Sequence, residues 1–244
     1  MQSPTPNASI AGDDFLETLS VLLSGVVAAG ACLAAQKIWP ASISVLIALL
    51  ALCFVGAPAR RAQAGFARFC DGFGGGRERE RILAILADAN VGVFGAVGLT
   101  LMILLQHASL SGILAGAEVA LPKAGLKFSA IVPALLIGQS LSHFFAAFLA
   151  RSLPSLRGVD VPGGGPKKGE YLRPFFALPV PVACIAATDS LAFAHAVFPL
   201  IPLFILLRGV FKRRVGGVTA DLRGAAHQIA RGLYLITVLG LTGQ

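Results

Sequence analysis

Residues 65–95 read GFARFCDGFGGGRERERILAILADANVGVFG, a charged and glycine-rich stretch between long apolar segments. Hydrophobic residues make up 56% of the 244-residue chain and charged residues 13%, and the mean hydropathy is +0.79. This composition is too apolar for a soluble domain of this length. The sequence therefore predicts a polytopic membrane protein in which this stretch lies at the membrane surface.

The apolar segments predict an all-α transmembrane helix bundle. A chain in lipid must satisfy its backbone hydrogen bonds internally, and these segments lack the alternation of barrel strands. With about 20 apolar residues per span, we expect six or seven spans in a single integral membrane domain over residues 1–244. The predicted spans are 16–35, 40–57, 91–115, 126–150, 172–188, 190–208 and 228–242. Three prolines predict a kink or an unwound part in the span 172–188.

The basic residues predict the orientation of the bundle. Of the 20 Lys and Arg residues, 17 lie in or beside the regions 60–81, 151–173 and 208–231. The positive-inside rule predicts cytoplasmic loops over about 58–90, 151–171 and 209–227. The net charge of +8 then reflects contact with anionic lipid headgroups, and nucleic acid is not an expected partner.

Three acidic residues fall next to glycines or small residues on this predicted cytoplasmic side. They are Asp71 in CDGFGGG, Asp88 in LADANVG and Asp221 in GGVTADLRGA. Carboxylates gathered on one face suit Mg²⁺, which takes one or two of them together with substrate phosphates. The alternative is that each is an ordinary solvated loop aspartate or helix N-cap.

The glycines and arginines of the opening stretch could bind phosphate. Glycines let backbone N–H groups approach an anion closely, and residues 77–87 predict a helix whose start could face a phosphate. Arginine can grip a pyrophosphate with paired hydrogen bonds. The candidate residues are Gly72, Gly74, Gly75, Gly76, Arg77, Arg79 and Arg81. The alternatives are a flexible turn and a solvated face of alternating charge.

Histidine and cysteine residues add little to the prediction. No two histidines have the spacing of metal ligands, and His107, His143 and His195 are expected to pack within the bundle or to face a pore. His227, six residues after Asp221, is a weak candidate proton acceptor. The cysteines lack CxxC spacing, and neither GxSxG nor HExxH occurs, so hydrolase and zinc-protease functions lack support.

Four ordered motifs resemble the cobalamin synthase family, the membrane-bound adenosylcobinamide-GDP ribazoletransferases. The family pattern DGFGGGRDRER, a helix and KDSRIGTFG is similar to residues 71–95, and ARSLPSLRG at 150–158 looks like the family's ALPPARPDG. A Gly- and Pro-rich loop follows, and residues 213–236 are similar to the GGxTGDxxGAxxExxE segment. The resemblance covers residues 60–240, with gaps in the variable helices.

The chain departs from the family pattern where the family has the cluster H-x-D-G-x-x-D-x-x-D-G. Residues 62–72 read AQAGFARFCDG, so that Ala62 replaces the histidine, Ala64 the first aspartate and Arg68 the second, while Asp71 remains. Ala87, Ala89, Asn90 and Ala220 replace further family residues, and Gln228 lies near a usual acidic position. Whether Arg68 replaces a metal charge by binding phosphate directly stays open.

The resemblance implies a Mg²⁺-dependent phosphotransferase in the bacterial inner membrane, with cytoplasmic active-site loops. It would join α-ribazole or its 5′-phosphate to adenosylcobinamide-GDP and release GMP. The resemblance implies that Asp71 and Asp88 bind the metal and that Asp221 is a further ligand or the base. It also implies that Arg77 or Arg79 binds the guanylyl phosphates, and that backbone N–H donors come from Gly74, Gly75 and Gly76. The implied partners include membrane lipid, and assembly as a homo-oligomer or with other cobalamin-pathway enzymes stays open. The alternatives are a catalytically impaired paralogue with a binding or assembly role, and a membrane transporter.

Overall fold

The computed structural model describes residues 7–55, 57–88, 90–116, 118–121, 126–156, 178–188 and 191–242. This part of the chain is an all-α bundle with one short β-hairpin. Its elements are α1 (Asn7–Ala35), α2 (Ala41–Phe54), α3 (Ala57–Gly75), α4 (Arg79–Ala87), α5 (Val93–Gly116), β1 (Glu118–Leu121), β2 (Leu126–Ser129), α6 (Ile131–Arg151), α7 (Pro179–Thr188), α8 (Leu191–His195), α9 (Leu200–Arg214) and α10 (Ala220–Thr242).

Several helices are long and apolar enough to cross a membrane. Within the described residues, three stretches meet this description by length and composition, namely Val93–Gly116, Ile131–Arg151 and Leu191–Arg214, the last of which comprises α8 and α9. Leu19–Ala35 and α2 and α7 are shorter apolar helices. Many large apolar side chains on α1, α2, α5 and α9 face outward, which is the arrangement that lipid favours. The prediction of an all-α membrane bundle is therefore confirmed, while the number of spans stays a prediction.

Local signals explain where several helices begin. Pro40 and Pro199 are the N-cap residues of α2 and α9, and Pro179 is the first residue of α7, where a missing N–H costs nothing. The Thr219 hydroxyl accepts the N–H of Leu222 and so caps α10. The apolar run predicted as one span over 190–208 is divided into α8 and α9 at Pro199.

The region predicted as a cytoplasmic loop over about 58–90 contains two helices: α4 corresponds to the helix predicted over 77–87, whereas α3 was not predicted. Helix α3 buries Ala62, Phe66 and Ala67 along one face, and its tertiary contacts offset the low helix propensity of its glycines. Helix α10 begins eight residues before the predicted span 228–242, and α6 begins later than predicted because residues 126–129 form β2. Residues 157–171 of the second predicted loop and residues 172–177 of the fifth predicted span lie outside the described residues.

Helix α10 lies at the centre of the bundle and packs on α3, α5 and α6. The buried core joins apolar side chains of these helices with those of α1 and α2, including Leu49, Leu110, Ile137, Leu222 and Leu235. A parallel bridge between Ser155 and Val218 ties the end of α6 to the start of α10. The amino-terminal turns of α10 are therefore held against both α3 and α6.

Candidate functional site

Two glycines bring the backbones of α3 and α10 into direct contact. A Cβ atom on Gly65 would lie 2.6 Å from the carbonyl oxygen of Asp221, and one on Gly224 would lie 2.9 Å from the Cα of Ala62. Only glycine fits at either position because the neighbouring atoms belong to the backbone. This close crossing fixes the polar residues of α3 relative to those of α10.

A cavity of about 520 Å³ opens beside this crossing, between α1, α3, α6 and α10. Its wall combines small apolar residues with arginine and histidine side chains. The described residues that line it are Val21, Arg60, Arg61, Ala62, Ala64, Arg68, Gln139, His143, Ala146, Ala147, Ala220, Asp221, Arg223, Gly224 and His227. Four arginines and a single carboxylate make this a cationic cavity, large enough for part of a nucleotide.

The carboxylate of the cavity is paired with an arginine. Arg68 Nη1 donates to Asp221 Oδ1 at 3.0 Å, and their side chains keep 29% and 21% of their surface exposed. An arginine fork has five N–H donors, and this ion pair uses one of its terminal nitrogens. Arg68 therefore retains donors with which it can bind a second anion in the cavity.

Two of the described residues that line the cavity are histidines, His143 and His227. His227 of α10 is buried, and neither of its ring nitrogens has a hydrogen-bond partner among the described residues. Its ring lies 6.4 Å from that of His143 on α6, measured between centroids. A buried polar group without a partner is uncommon, and here the group lines a cavity. His227 can therefore exchange a hydrogen bond or a proton with a bound molecule.

A buried arginine lies one helical turn beyond His227. Arg231 donates to the side-chain oxygens of Gln139, Gln106 and Gln228 at 2.8–2.9 Å. Its three partners are neutral, so its charge is uncompensated by any carboxylate in these contacts. Gln139 also lines the cavity, so the positive charge of Arg231 lies directly behind the cavity wall.

Asp71 is used to cap a helix. Its two carboxylate oxygens accept the N–H groups of Gly92 and Gly95, each at 2.7 Å. These are two of the donors that the start of α5 leaves without an intrahelical partner, and the negative charge complements the helix dipole. Asp71 does not line the cavity. Its predicted metal-binding role stays a prediction, but a structural role now accounts for the carboxylate.

Asp88 lies at the exposed end of α4, where it forms a local turn. Its Oδ1 accepts the backbone N–H of Asn90 at 2.9 Å and the side-chain amide of the same residue at 3.0 Å. This is the hydrogen bonding of an Asx turn. Of the three predicted aspartates, Asp221 alone lines the cavity, and the described contacts do not bring Asp71 or Asp88 to it.

The glycine run that was predicted to cradle phosphate is the end of α3. The N–H of Gly76 donates to the Gly72 carbonyl at 3.0 Å. A Cβ atom on Gly74 would lie 2.8 Å from the Phe94 ring, and one on Gly76 would lie 2.8 Å from Ile82. Gly75, also within α3, has room for a Cβ atom, with Ile85 at 3.6 Å. Close packing accounts for Gly74 and Gly76 without a bound anion.

The predicted phosphate-binding arginines lie away from the cavity. Arg79 Nε donates to the Val215 carbonyl at 2.8 Å, and Arg214 Nη2 donates to the Gly76 carbonyl at 2.9 Å. These two bonds join the α3–α4 turn to the turn before α10. Arg77 is exposed at the same turn. The roles predicted for Arg77 and Arg79 in binding guanylyl phosphates stay predictions.

The side chains around the cavity do not fit a resident Mg²⁺ ion. Mg²⁺ is usually held by one or two carboxylates in a near-octahedral oxygen shell, whereas the described lining of this cavity offers the carboxylate of Asp221 alone, already paired with Arg68. Within the described part of the chain, no three His, Cys, Asp or Glu side chains are placed to hold a metal ion. The surrounding arginines would also repel a dication.

Sequence reasoning missed Arg60, Arg61, Arg223 and Gln139 as residues of one site. Positions 60, 64 and 68 are spaced four apart, which places them on one face of a helix, but the stretch was predicted to be a loop. Ala62, Ala64 and Arg68, the three departures from the family's H-x-D-G-x-x-D-x-x-D-G pattern, all line the cavity. These three departures therefore lie in the wall of one site.

Comparisons with known proteins agree with the ordered motifs. The cobalamin-5-phosphate synthase family model matches residues 14–239. The chain is 32% identical to the adenosylcobinamide-GDP ribazoletransferase of Shewanella frigidimarina over 222 residues, which is 90% of this chain and 80% of the relative. It is 31% identical to that of Xanthobacter autotrophicus over 226 residues, 91% and 80% of the two chains. No solved structure matches.

Proposed function

The chain belongs to the cobalamin-5-phosphate synthase family, and we infer that it is an adenosylcobinamide-GDP ribazoletransferase whose reaction takes place in the arginine-lined cavity. The observation that carries this location is the meeting of α3, α6 and α10 around one cationic cavity of about 520 Å³. The substrate's diphosphate bears negative charge, and arginines on two helices can bind it with charge-assisted hydrogen bonds.

The reaction is a displacement at phosphorus. A hydroxyl oxygen of the ribose, in either α-ribazole or α-ribazole 5′-phosphate, forms a bond to the phosphorus joined to cobinamide. The bond from that phosphorus to the bridging oxygen breaks, and GMP leaves with the electron pair. Such a step depends on holding the attacking and leaving oxygens in line and on neutralising the charge of the phosphates. Arg60, Arg61, Arg68 and Arg223 supply positive charge from two sides of the cavity.

His227 is the proposed acceptor of the hydroxyl proton. It lines the cavity, and its two ring nitrogens are without a partner among the described residues, so that a neutral imidazole there can accept a hydrogen bond from the attacking hydroxyl. Asp221 holds Arg68 at 3.0 Å, so we assign it the positioning of that guanidinium. This differs from the metal-ligand or base role that the resemblance implied for Asp221.

The membrane setting follows the positive-inside rule. Arg60 and Arg61 at the start of α3, Arg77 beyond its end, and Lys212 and Arg213 at the end of α9 are all exposed, and the rule puts such residues on the cytoplasmic side. We place the protein in the bacterial inner membrane, with the cavity open to the cytoplasm, where its nucleotide-linked substrate occurs. Magnesium dependence of turnover stays a prediction from the resemblance, and none of the residue roles assigned here requires an ion held by the protein.

Release of GMP by the full-length protein in lipid tests this function. The purified chain is given adenosylcobinamide-GDP and α-ribazole, and GMP is followed by chromatography beside an active relative such as the Shewanella enzyme. We expect GMP release that requires both substrates. Its absence, with the relative active under the same conditions, would contradict the transferase function and favour an impaired paralogue.

Replacement of His227 tests the location of the site. The change His227→Gln is expected to lower kcat by about 10²–10⁴-fold, the usual contribution of a positioned base, with a small effect on KM. The matched control is His195→Gln, because His195 is exposed on α8 and lies outside the cavity. Equal kcat values for the two variants would place the chemistry elsewhere.

A further inference from the structure

Among the described residues, five guanidinium groups face or underlie the cavity, together with one carboxylate. Arg60, Arg61, Arg68 and Arg223 line it, and Arg231 lies behind the wall residues Gln139 and His227. The only carboxylate among the described lining residues is that of Asp221. In a site with low-dielectric walls this excess of positive charge creates a strong potential that attracts anions.

The polar contacts of the cavity leave arginine donors available. Arg68 uses Nη1 for Asp221, and Arg60 uses Nη1 for the Phe54 carbonyl at 2.9 Å. A guanidinium presents five N–H groups in a planar fork that matches two oxygens of a phosphate. Each of these arginines can therefore keep its protein contact while it binds a phosphate oxygen.

The described residues of the same wall offer few oxygen ligands for a cation. Ala62 and Ala64 contribute methyl groups, and the carboxylate of Asp221 is neutralised by Arg68. The opposite wall carries Gln139 and His143 with Ala146 and Ala147. Hard cations prefer several carboxylates and other oxygens, and this donor set offers too few of them to hold one in place before the substrate arrives.

We propose that this chain binds the diphosphate of its nucleotide substrate through arginine side chains alone, without a divalent cation held by the protein. The proposal rests on the proposed function for the identity of the substrate. It extends that function by naming the arginine side chains as the groups that neutralise the diphosphate charge. Arg68 is the central residue, because it joins the α3 and α10 sides of the cavity through Asp221.

The wild-type protein in lipid nanodiscs provides the first test. Binding of inorganic pyrophosphate is measured by its competition with adenosylcobinamide-GDP, in excess EDTA and in excess Mg²⁺. We expect the dissociation constants of pyrophosphate in the two conditions to agree within about threefold. Binding that is about tenfold weaker in EDTA, a loss of about 1.4 kcal/mol, would mean that a cation contributes to binding. Loss of pyrophosphate binding in EDTA would overturn the proposal. So would tight binding of Mn²⁺ to the substrate-free protein, measured by electron paramagnetic resonance.

Variants of Arg68 provide the second test. The change Arg68→Gln should weaken pyrophosphate binding in EDTA by about 10-fold to 100-fold, the usual effect of losing a charge-assisted hydrogen bond. Arg213→Gln, on an exposed arginine at the end of α9 and outside the cavity, is the matched control and should bind as the wild type does. Equal binding by the two variants would overturn the proposal.

Restoring the family's two aspartates at positions 64 and 68 should make pyrophosphate binding depend on a divalent cation. Residues 64 and 68 lie one turn apart on α3, and both line the cavity. The double variant Ala64→Asp with Arg68→Asp should bind Mn²⁺ and should bind pyrophosphate only when a divalent cation is present. Pyrophosphate binding by the double variant in EDTA as tight as that of the wild type would overturn the proposal. If the double variant does not fold, the wild-type measurement decides.

The binding and turnover measurements separate the two levels of inference. Pyrophosphate binding in EDTA without any GMP release from adenosylcobinamide-GDP would support arginine-based binding and contradict the transferase function. GMP release together with pyrophosphate binding that EDTA abolishes would support the transferase function and overturn the metal-free site.

Discussion

Gly65→Ala is the sharpest perturbation of the contact between α3 and α10. The added Cβ atom would lie 2.6 Å from the carbonyl oxygen of Asp221 and 2.9 Å from its Cα. Ordinary contact begins at about 3.4 Å, so the helices must separate by about 0.8 Å. Overpacking of this kind costs about 1–3 kcal/mol, and the higher helix propensity of alanine returns about 0.5–1 kcal/mol. We therefore expect a net loss of about 1–2 kcal/mol in the free energy of unfolding.

The same displacement should lower activity by more than the loss of stability suggests. It moves Arg68 relative to Asp221, whose ion pair spans the two helices, and a shift near 1 Å in a positioned site can cost about 100-fold in rate. The assays are thermal unfolding in detergent and GMP release at saturating substrate. Gly209→Ala is the control, because a Cβ atom there meets nothing within 4 Å. If Gly65→Ala matched Gly209→Ala in melting temperature and rate, the close crossing would not position the site.

Three further predictions concern residues outside the lining of the cavity. Asp71→Asn should lower the free energy of unfolding by about 1 kcal/mol, because the amide loses the charge that complements the start of α5; an unchanged melting temperature would contradict the capping role. Arg231→Met should cost about 2–4 kcal/mol, since three hydrogen bonds to a charged group are lost, and equal stability to the wild type in detergent would refute it. Burial and the neighbouring Asp71 carboxylate raise the pKa of the Cys70 thiol, so maleimide labelling of a variant that keeps only this cysteine should be slow at neutral pH and accelerate as the pH rises through the alkaline range. Adding Asp71→Asn should lower the pKa of Cys70 and speed labelling at a fixed pH, and an identical rate would contradict the charge effect.

The sequence was sufficient to predict the helices that face lipid. Helices such as α2 and α5 could be predicted from their continuous apolar composition, and their predicted bounds lie within a few residues of those observed. Helix α3 was missed because its many arginines and glycines lower the apolar content of the segment, although the buried residues Ala62 and Phe66 are four positions apart, as on one face of a helix. Its stability comes from packing on α10 and α5, which no local window of sequence contains.

The site was only partly predictable for a similar reason. Asp221 was identified from its glycine-flanked motif and does line the cavity. Asp71 has an equally suggestive motif, yet its oxygens bind the N–H groups of residues more than twenty positions away. The carboxylate of Asp71 lies opposite the start of α5, whereas that of Asp221 lies opposite the Arg68 side chain. Both surroundings depend on tertiary structure. Arg223 lies within the Asp221 motif, but at a position that the family pattern leaves open, and Gln139 lies in none of the motifs. Only the packing of α6 on α10 brings these two lining residues together.

The ion pair between Arg68 and Asp221 joins residues 153 positions apart in the chain, and this separation has a consequence for synthesis. At about 5–20 residues per second, the ribosome makes Asp221 about 8–30 s after Arg68. During that interval the arginines of α3 have neither their carboxylate nor the α10 wall of the cavity. With α3 at the cytoplasmic membrane surface, as proposed from the positive-inside rule, we expect its arginines to bind anionic lipid during this interval, so that insertion of α10 displaces those headgroups before the cavity forms.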